Sequence, residues 1–504
     1  MLQHTVLSWL IWLPVFGAFF IMMSSRSTSP TFARFVSLII ALLSIGLCWF
    51  LLVAFNPSTS KMQFVQNIAW IPSLGINYQL GVDGISMPLV VLTCFTTLIV
   101  VLASWTMVHQ KVAQYLAAFL MMQAMVVGVF CALDSIMFYF FWEAMLIPMY
   151  LSIGIWGGGN RSYAAIKFFM YTFFGSALML IALLYLRLHS GTFSILDWYT
   201  LSLTGMQQKL IFLAFFVSFA VKVPMWPLHT WLPDAHTEAP TGGSVILAAL
   251  MLKLGGYGFL RFSLPIVPDA CHYFEWFMVI LSLIAIVYVG LIALAQTDMK
   301  KLIAYSSIAH MGFVTLGCFM ALVIVQSTAN LPEAYMALEG AMTQMISHAF
   351  GSGAMFLAFG IIYQQMHTRH IGDFGGIAKP MPYFAAFFML YAMSNVGLPG
   401  TSGFVGEFMI ILSTFKANFW VTLLASSTLV IGAAYTLYMY RRVFYGEVKS
   451  EAVAALQDVS GLNLLLFVLL AAAVLLIGFF PNPMLNIFHQ SIDNLLHLSI
   501  ATKS

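Results

Sequence analysis

Residues 210–232 read LIFLAFFVSFAVKVPMWPLHTWL, an apolar stretch that is interrupted by Lys222 and two prolines. Roughly 20 apolar residues are enough for a helix to cross the hydrocarbon core of a membrane. Pro224 and Pro227 each remove a backbone donor and clash with the preceding turn. A broken helix is tolerated in a membrane only where protein or a water-filled cavity covers it. The stretch therefore predicts a discontinuous helix inside a membrane bundle, with Lys222 beside the break.

A second interrupted stretch lies in the other half of the chain. Residues 396–403 read VGLPGTSG, and Glu407 follows one turn later. Pro399 marks this second break. Paired interrupted helices in two halves of a chain are typical of transporters with an ion path at mid-membrane. Two ordinary proline kinks are the alternative interpretation.

The composition requires a membrane protein. The chain has 504 residues, of which 62% are hydrophobic and 7% charged, whereas soluble domains carry about 25% charged residues. A net charge of +3 without basic runs excludes nucleic acid as an expected partner. Hydropathy predicts an all-α integral membrane protein with about fourteen transmembrane helices, and residues 61–82 as a short hairpin or loop at the membrane surface. The predicted spans are 5–23, 33–55, 84–106, 113–132, 134–154, 163–187, 209–232, 238–262, 273–296, 302–325, 333–364, 381–413, 418–444 and 461–481.

The distribution of basic residues predicts the orientation. With alternating connections, one side receives twelve of the 20 lysines and arginines, among them Arg26, and the other side receives six, among them Arg261. Cytoplasmic loops carry the excess of basic residues, so we expect both termini on the outer face. The first hydrophobic segment lacks a basic leader and a small-residue cleavage site, which predicts a retained helix.

The sequence favours no metal, disulfide or nucleotide site in this chain. None of the five cysteines forms a CxxC pair, and nearly all lie in apolar stretches, which is typical of small buried hydrophobes. Residues 254–258 read LGGYG and do not fit the GxGxxG fingerprint. We therefore expect no redox centre in the chain.

Among the ionisable residues inside predicted spans, four need a specific reason: Glu143, Lys222, Lys253 and Glu407. A charge at mid-bilayer costs about 2.5–3.5 kcal/mol on insertion scales. Glu143 follows Asp134 by nine residues, which places it about 13 Å deep. The alternative interpretation of Lys222 and Lys253 is that their side chains extend to the membrane interface. The alternative for Glu143 and Glu407 is a protonated, hydrogen-bonded glutamate with a structural role.

Three histidines accompany these charges: His229, His310 and His348. Histidine is the side chain best suited to proton exchange near neutral pH, although a lone buried histidine is as readily a core residue. Carbonyls freed by the first break are expected to accept hydrogen bonds from Lys222.

A polar cluster lies where two spans meet. Asp234, His236 and Glu238 either gather protons at the cytoplasmic mouth or cap the helix before Pro240. Arg369 is expected to be an interfacial anchor.

The buried acids and bases suggest a switch. Desolvation disfavours a charged ammonium, and a nearby carboxylate restores it. We therefore hypothesise that Glu143 loads a proton on Lys222 when the two approach. When they separate, the proton passes toward Lys253, and histidines and water carry it to Glu407 and the far face.

Several motifs resemble one family. FWE at 141–143, KVP at 222–224, PLHTWLPDAH at 227–236 and AQTDMKKLIAYSSIAHMG at 295–312 are similar to the antiporter-like subunits of respiratory complex I, the proton-pumping NADH:quinone oxidoreductase. The likeness extends from about residue 65 to 480. Related L-type and N-type subunits and Mrp antiporters generally carry lysine where this chain has Glu407, so the chain resembles the M branch, the counterpart of mitochondrial subunit 4.

The resemblance implies a single polytopic domain over residues 1–504 with two inverted five-helix repeats, 113–262 and 273–444, each containing a broken helix. It implies proton transfer by the four charged residues and three histidines named above. FMN, iron–sulfur clusters and quinone are expected in other subunits, and the partners are L-like, N-like and smaller membrane subunits in a bacterial inner membrane. The alternatives are an Mrp-type cation/proton antiporter subunit, the D-type membrane subunit of a ferredoxin-fed photosynthetic complex, and a structural membrane module.

Overall fold

The chain is a multi-pass helical membrane protein. The computed structural model describes residues 2–24 and 29–503, so Arg26 lies outside the described residues. Large apolar side chains such as Leu188, Val430 and Trp420 are 70% exposed or more, as lipid contact requires and as a soluble monomer rarely shows.

Twelve helices in the described part of the chain are long and apolar enough to cross a membrane. They correspond one by one to twelve of the fourteen predicted spans, and the other two predicted spans are the broken helices described below. The twelve are His4–Ser24, Pro30–Ala54, Ser86–Met107, Val112–Cys131, Ser135–Trp156, Arg161–Ser190, Thr241–Ile266, Pro268–Leu294, Met299–Thr328, Leu331–Met366, Phe419–Phe444 and Gly461–Phe479.

Of the hairpin or loop predicted for residues 61–82, the hairpin is confirmed, while its place at the membrane surface stays a prediction. Strands β1 (Gln63–Ile71) and β2 (Ile76–Val82) pair antiparallel, with Ile71 opposite Ile76. The backbone amide of Asn77 donates to the Asp134 carboxylate at 3.0 Å, which ties the hairpin to the start of the helix that carries Glu143. We call the side of the bundle that carries this hairpin the hairpin face.

The first broken helix consists of Gly205–Lys222 and Trp231–Glu238. The interruption between them contains Pro224 and Pro227, as predicted. The indole Nε1 of Trp231 donates to the carbonyl of Val221 at 2.9 Å. Carbonyls at the end of a helix have no hydrogen-bond partner within it, so this bond replaces one of the backbone hydrogen bonds that are lost at the break.

The second broken helix consists of Pro382–Val396 and Ser402–Phe415. Gly397 ends the first part with φ of +80°, a backbone conformation that L side chains rarely adopt. Glu407 lies on the second part, one turn beyond the break. Local sequence signals therefore predicted both interruptions.

Further irregularities were not predicted. The span that carries Glu143 is interrupted at Met145, between Ser135–Ala144 and Leu146–Trp156. The helix Thr241–Ile266 contains π-helical turns at Leu247–Met251 and Phe259–Ser263. Such turns occur frequently at functional sites, and the first of them ends two residues before Lys253.

A C-terminal helix, Asn482–Ile500, was also missed. It is amphipathic and carries Asp493, so hydropathy alone does not select it. Its apolar side, including Phe488, Ile492 and Leu496, is buried, and it packs against the helix Leu331–Met366. The backbone amide of Gly84, just after the hairpin, donates to the Ser491 hydroxyl at 2.9 Å, so this helix lies on the hairpin face.

Candidate functional site

Lys253 and His348 join the two halves of the chain at the centre of the bundle. Lys253 is fully buried and His348 is 5% exposed. The Lys253 Nζ lies 2.6 Å from the His348 Nδ1 and donates to the Ala248 carbonyl at 2.5 Å. Ala248 lies in the first π-helical turn. The lysine therefore has two acceptors although it lies among apolar helices.

His310 continues this line toward the second broken helix. Its ring centroid lies 5.7 Å from that of His348. The His348 Nε2 has no hydrogen-bond partner among the described residues. The two rings are therefore neighbours that share no direct hydrogen bond in the described part of the chain.

Glu407 is the end of the line, and His310 and the Gln344 amide hold it in place. Its Oε1 lies 2.6 Å from the His310 Nδ1 and accepts from the Gln344 amide at 2.9 Å. The His310 Nε2 lies 3.0 Å from the Asn395 Oδ1. Both nitrogens of His310 thus face oxygen atoms, an arrangement that a protonated ring satisfies with two N–H donors.

Sequence reasoning missed Gln344 and Asn395. Both are almost fully buried, and Asn395 also donates to the Thr436 hydroxyl at 3.2 Å. A search for amides as well as charges inside apolar spans would have selected them, since buried amides need partners as charges do.

Lys222 lies apart from this line. It is 1% exposed, and no described residue accepts a hydrogen bond from its Nζ. The expectation that freed carbonyls bind this ammonium is therefore wrong. Its Nζ lies 5.5 Å from the ring centroid of Trp142 and 5.9 Å from that of Phe168, so aromatic faces replace the carbonyls as its surroundings.

Glu143 is partly buried and accepts a hydrogen bond from the Ser176 hydroxyl. No ion pair within 4.0 Å joins it to Lys222 among the described residues. Glu143 and Lys222 are therefore not directly paired in this structure.

Gly255 brings the helix of Lys253 against the first broken helix. A Cβ at this position would lie 2.6 Å from the Phe219 carbonyl oxygen and 2.7 Å from the Val223 amide nitrogen. Only glycine permits this approach. In the described residues no direct hydrogen bond connects Lys222 with Lys253. Two hydrogen-bonded pairs, Lys253–His348 and His310–Glu407, make up the line, with the two imidazole rings 5.7 Å apart, and Lys222 belongs to neither pair.

His229 lies in the interruption of the first broken helix and is 7% exposed. Its Nδ1 has no partner in the described chain. It is therefore a buried polar group beside the break, and it does not contact the Lys253–Glu407 line through a direct hydrogen bond.

Asp234, His236 and Glu238 do not form one cluster. Asp234 accepts from the Lys167 ammonium at 2.7 Å. His236 is fully buried and stacks on Phe356 at 4.4 Å, and neither of its nitrogens has a partner within residues 2–24 and 29–503. Glu238 accepts from the backbone of Asn160 at 2.9 Å.

Arg369 connects this region with the second half. Its guanidinium lies 3.4 Å from the Glu238 carboxylate and 3.3 Å from that of Asp298, so it is a bridge between halves rather than only an interfacial anchor. A cavity of about 240 Å³ lies beside it and is lined by Glu238 and Lys300 as well.

A buried ion pair on the hairpin face was not predicted. Arg261 is not a loop residue, as the count of basic residues assumed, because it lies in the second π-helical turn and binds the Asp83 carboxylate at 2.6 Å. Burial alone would raise the pKa of Asp83, but the Arg261 guanidinium outweighs burial and lowers it. The pair fixes the segment after the hairpin to the helix of Lys253.

All five cysteines are free and buried, as expected of small apolar side chains. In the ranges that the structure describes, no group of three or more His, Cys, Asp or Glu side chains could hold a metal ion.

Comparisons with known proteins place the chain in a family. The family described as NADH:quinone oxidoreductase/Mrp antiporter, TM, matches residues 132–436. The chain is 47% identical over 512 residues to NADH-quinone oxidoreductase subunit M of Rhodobacter capsulatus, covering 98% of this chain and 97% of that protein. It is 40% identical to NADH-ubiquinone oxidoreductase chain 4 of Marchantia polymorpha, with 98% and 97% coverage.

Solved structures agree in fold. A chain of respiratory complex I from Thermus thermophilus with bound NADH superposes with a TM-score of 0.85 at 29% identity, covering 97% of this chain and 99% of that chain. A chain of the Mrp complex from Dietzia has a TM-score of 0.79 at 22% identity, with coverage of 98% and 52%, and shows likeness of fold alone. The chain belongs to the family of NADH:quinone oxidoreductase and Mrp antiporter membrane subunits.

Proposed function

We propose that this chain is the M-type, proton-translocating membrane subunit of an NADH:quinone oxidoreductase. The observation that carries the proposal is the buried line of Lys253, His348, His310 and Glu407. It consists of two hydrogen-bonded pairs, Lys253–His348 and His310–Glu407, whose imidazole rings lie 5.7 Å apart. Lipid would penalise each of these groups, and a chain of exchangeable protons gives them a use. The full-length relatives that bear the subunit M and chain 4 names support the same assignment.

In this proposal the redox chemistry belongs to other subunits. FMN, iron–sulfur clusters and quinone are held by other subunits of the complex, and the membrane partners of this chain are L-like, N-like and smaller subunits. This chain contributes proton binding sites, and energy arrives through its contacts with neighbouring subunits in a bacterial inner membrane. Both termini and the hairpin face are on the outer side.

The repeat limits 113–262 and 273–444 are part of the proposal. In each half, the broken helix is the fourth of five consecutive spans, counted from Val112–Cys131 and from Pro268–Leu294. This order supports an internal duplication. Lys222 in the first broken helix and Glu407 in the second are then counterparts.

The proposed cycle begins with Lys222 as an unpaired ammonium site. Movement of Glu143 away from Ser176 and toward Lys222 stabilises a proton on the lysine, because a carboxylate favours the charged form. Return of Glu143 to Ser176 releases the proton toward Lys253. From Lys253 the proton moves through His348 and His310 to Glu407.

The cytoplasmic uptake site fits the cavity that Glu238 lines better than Asp234, because Asp234 binds Lys167 and does not line this cavity. His236 lies on the same short helix as Glu238, with unpartnered nitrogens among the described residues. Water in this cavity would connect Glu238 with the bulk.

The decisive variant is Lys222→Ala in the intact complex. Proton uptake into inverted membrane vesicles, driven by NADH, is expected to disappear while the complex still assembles. Affinity-tagged chain, extracted gently, is expected to bring flavin and iron–sulfur subunits with it. Full pumping in Lys222→Ala, or purification without those subunits, would contradict the proposal.

A further inference from the structure

A row of polar side chains on the helix Leu331–Met366 lies outside the line described above. Its members follow one another at intervals of four residues, so they share one side of the helix. They are Tyr335, Glu339, Thr343 and Ser347. We call this set the polar ridge; it leads from the centre of the bundle to the hairpin face.

The inner end of the polar ridge adjoins the proton line. Ser347 directly precedes His348, and Thr343 directly precedes Gln344, which binds Glu407. The ridge therefore begins on the same stretch of helix that carries His348 and Gln344, next to the line that we assign to proton transfer.

The two hydroxyls at this inner end are buried and have no hydrogen-bond partner among the described residues. Serine and threonine in helices commonly donate to a carbonyl one turn earlier, but Thr343 and Ser347 do not. Buried polar groups without protein partners usually bind ordered water. Successive members of the ridge are about 6 Å apart along the helix axis, a distance that one water molecule bridges.

The outer end of the polar ridge connects a buried carboxylate with solvent. Glu339 is 8% exposed, and its Oε1 lies 3.0 Å from the Nδ1 of His489 on the C-terminal helix. The His489 side chain is 53% exposed. The hydroxyl of Tyr335 donates to the His489 carbonyl at 2.9 Å and holds the histidine over the carboxylate.

Two other carboxylates lie near this end, and each has a basic neighbour. Glu333 pairs with Lys416 at 2.8 Å on the first turn of the same helix. Asp493 lies 3.7 Å from His497 on the C-terminal helix. Glu339 and His489 are consequently the pair that links the interior with the surface.

We propose that Glu339 and His489 form the proton release site on the hairpin face, connected to the Lys253–Glu407 line by water along Thr343 and Ser347. The inference rests on the proposed function. A proton leaves Glu407 or His348 as an O–H or N–H bond breaks, and water on the ridge takes it up. Glu339 then accepts it and passes it to His489, which releases it to bulk water, so no other bond changes.

In a purely structural role, the same contacts would only hold the C-terminal helix against the bundle. Thr343 distinguishes the two, because it precedes Glu339 on the path from the interior and Thr343→Val removes only the hydroxyl from a side chain of the same shape. Removing a contact that only holds the C-terminal helix would weaken assembly of the complex. Removing an interior hydroxyl would instead slow proton release without changing the contacts of the C-terminal helix.

The test measures NADH-driven proton uptake and NADH oxidation in inverted vesicles that carry the whole complex. Glu339→Gln and His489→Gln are expected to pump about tenfold more slowly, since a positioned proton donor or acceptor contributes at least that much. The pumping rate of Thr343→Val is also expected to fall, and Glu339→Asp is expected to recover part of the rate that Glu339→Gln loses. The matched control, His497→Gln, removes an exposed histidine from the same helix and should leave pumping unchanged.

The release site would be overturned if Thr343→Val and Glu339→Gln both assembled into the complex and both pumped protons at the wild-type rate. If Glu339→Gln fails to assemble, Thr343→Val alone decides. Lys222→Ala separates this inference from the proposed function: loss of pumping there with normal pumping in Thr343→Val rejects only the release site, while normal pumping in Lys222→Ala rejects the function itself.

Discussion

The imidazole of His310 lies 2.6 Å from the carboxylate of Glu407, although the two residues are 97 positions apart in the chain. The contact joins the span Met299–Thr328 to the second broken helix at a depth where no bulk water is expected. A charge-assisted hydrogen bond of this length is stronger than a neutral one. It orients the histidine so that its second nitrogen faces Asn395, and it gives Glu407 a partner with which to exchange a proton.

Glu407→Gln is expected to stop proton transfer while preserving the local packing. The amide has nearly the shape of the carboxylate and still accepts from Gln344, but it does not take up a proton near neutral pH. We expect proton uptake in inverted vesicles to fall by about tenfold or more, with the complex assembled. Glu447→Gln, at an exposed position, is the control, and equal pumping by the two variants would count against the role of Glu407.

Gly255→Ala is expected to separate the helix of Lys253 from the first broken helix. The added methyl would lie within 2.7 Å of the Val223 backbone nitrogen, and backbone cannot yield as a flexible side chain does. Overpacking of this kind costs about 1–3 kcal/mol, so both thermal stability and pumping should decrease. Gly159→Ala meets no atom within 4 Å and should be neutral; a neutral Gly255→Ala would show that the approach is not required.

Asp83→Asn is expected to leave Arg261 as an unpaired buried charge. Removing one partner of a buried ion pair costs about 3–5 kcal/mol. The amount of assembled complex and its thermal unfolding temperature in detergent measure the loss. Asp197→Asn changes an exposed aspartate on the same face of the bundle and should have little effect, and equal stability of the two variants would remove the structural role of the pair.

The stabilisation by Asp83 should also depend on pH. Burial raises its pKa, but Arg261 lowers it below the usual value of 3.8 overall. A carboxyl whose pKa is lowered by folding stabilises the folded state fully above its unfolded pKa, and this contribution is lost as pH falls through the folded pKa. The difference in unfolding temperature between wild type and Asp83→Asn should therefore be constant near neutral pH and shrink below about pH 4. A difference that shrinks instead near neutral pH would assign the effect to another group.

Part of this architecture follows from local sequence. The proline and glycine positions at 224, 227 and 397–400 located both broken helices, because these residues constrain the backbone wherever they stand. The C-terminal helix and the break at Met145 have no such signal: the first depends on an amphipathic surface that packs on the bundle, and the second occurs in a continuous apolar run.

The sequence by itself determined that the chain spans a membrane, where the long apolar helices and the two proline- and glycine-marked breaks lie, and that acids and bases occur within these spans, because hydropathy and backbone constraints act over one or two turns. Only the tertiary structure decided which of these groups meet. It joined Lys253 to His348 across 95 positions and Arg261 to Asp83 across 178, and it left Lys222 between aromatic rings without an acceptor in the described chain. Contacts of this kind depend on how distant helices pack, to within an ångström, and no local pattern encodes that distance.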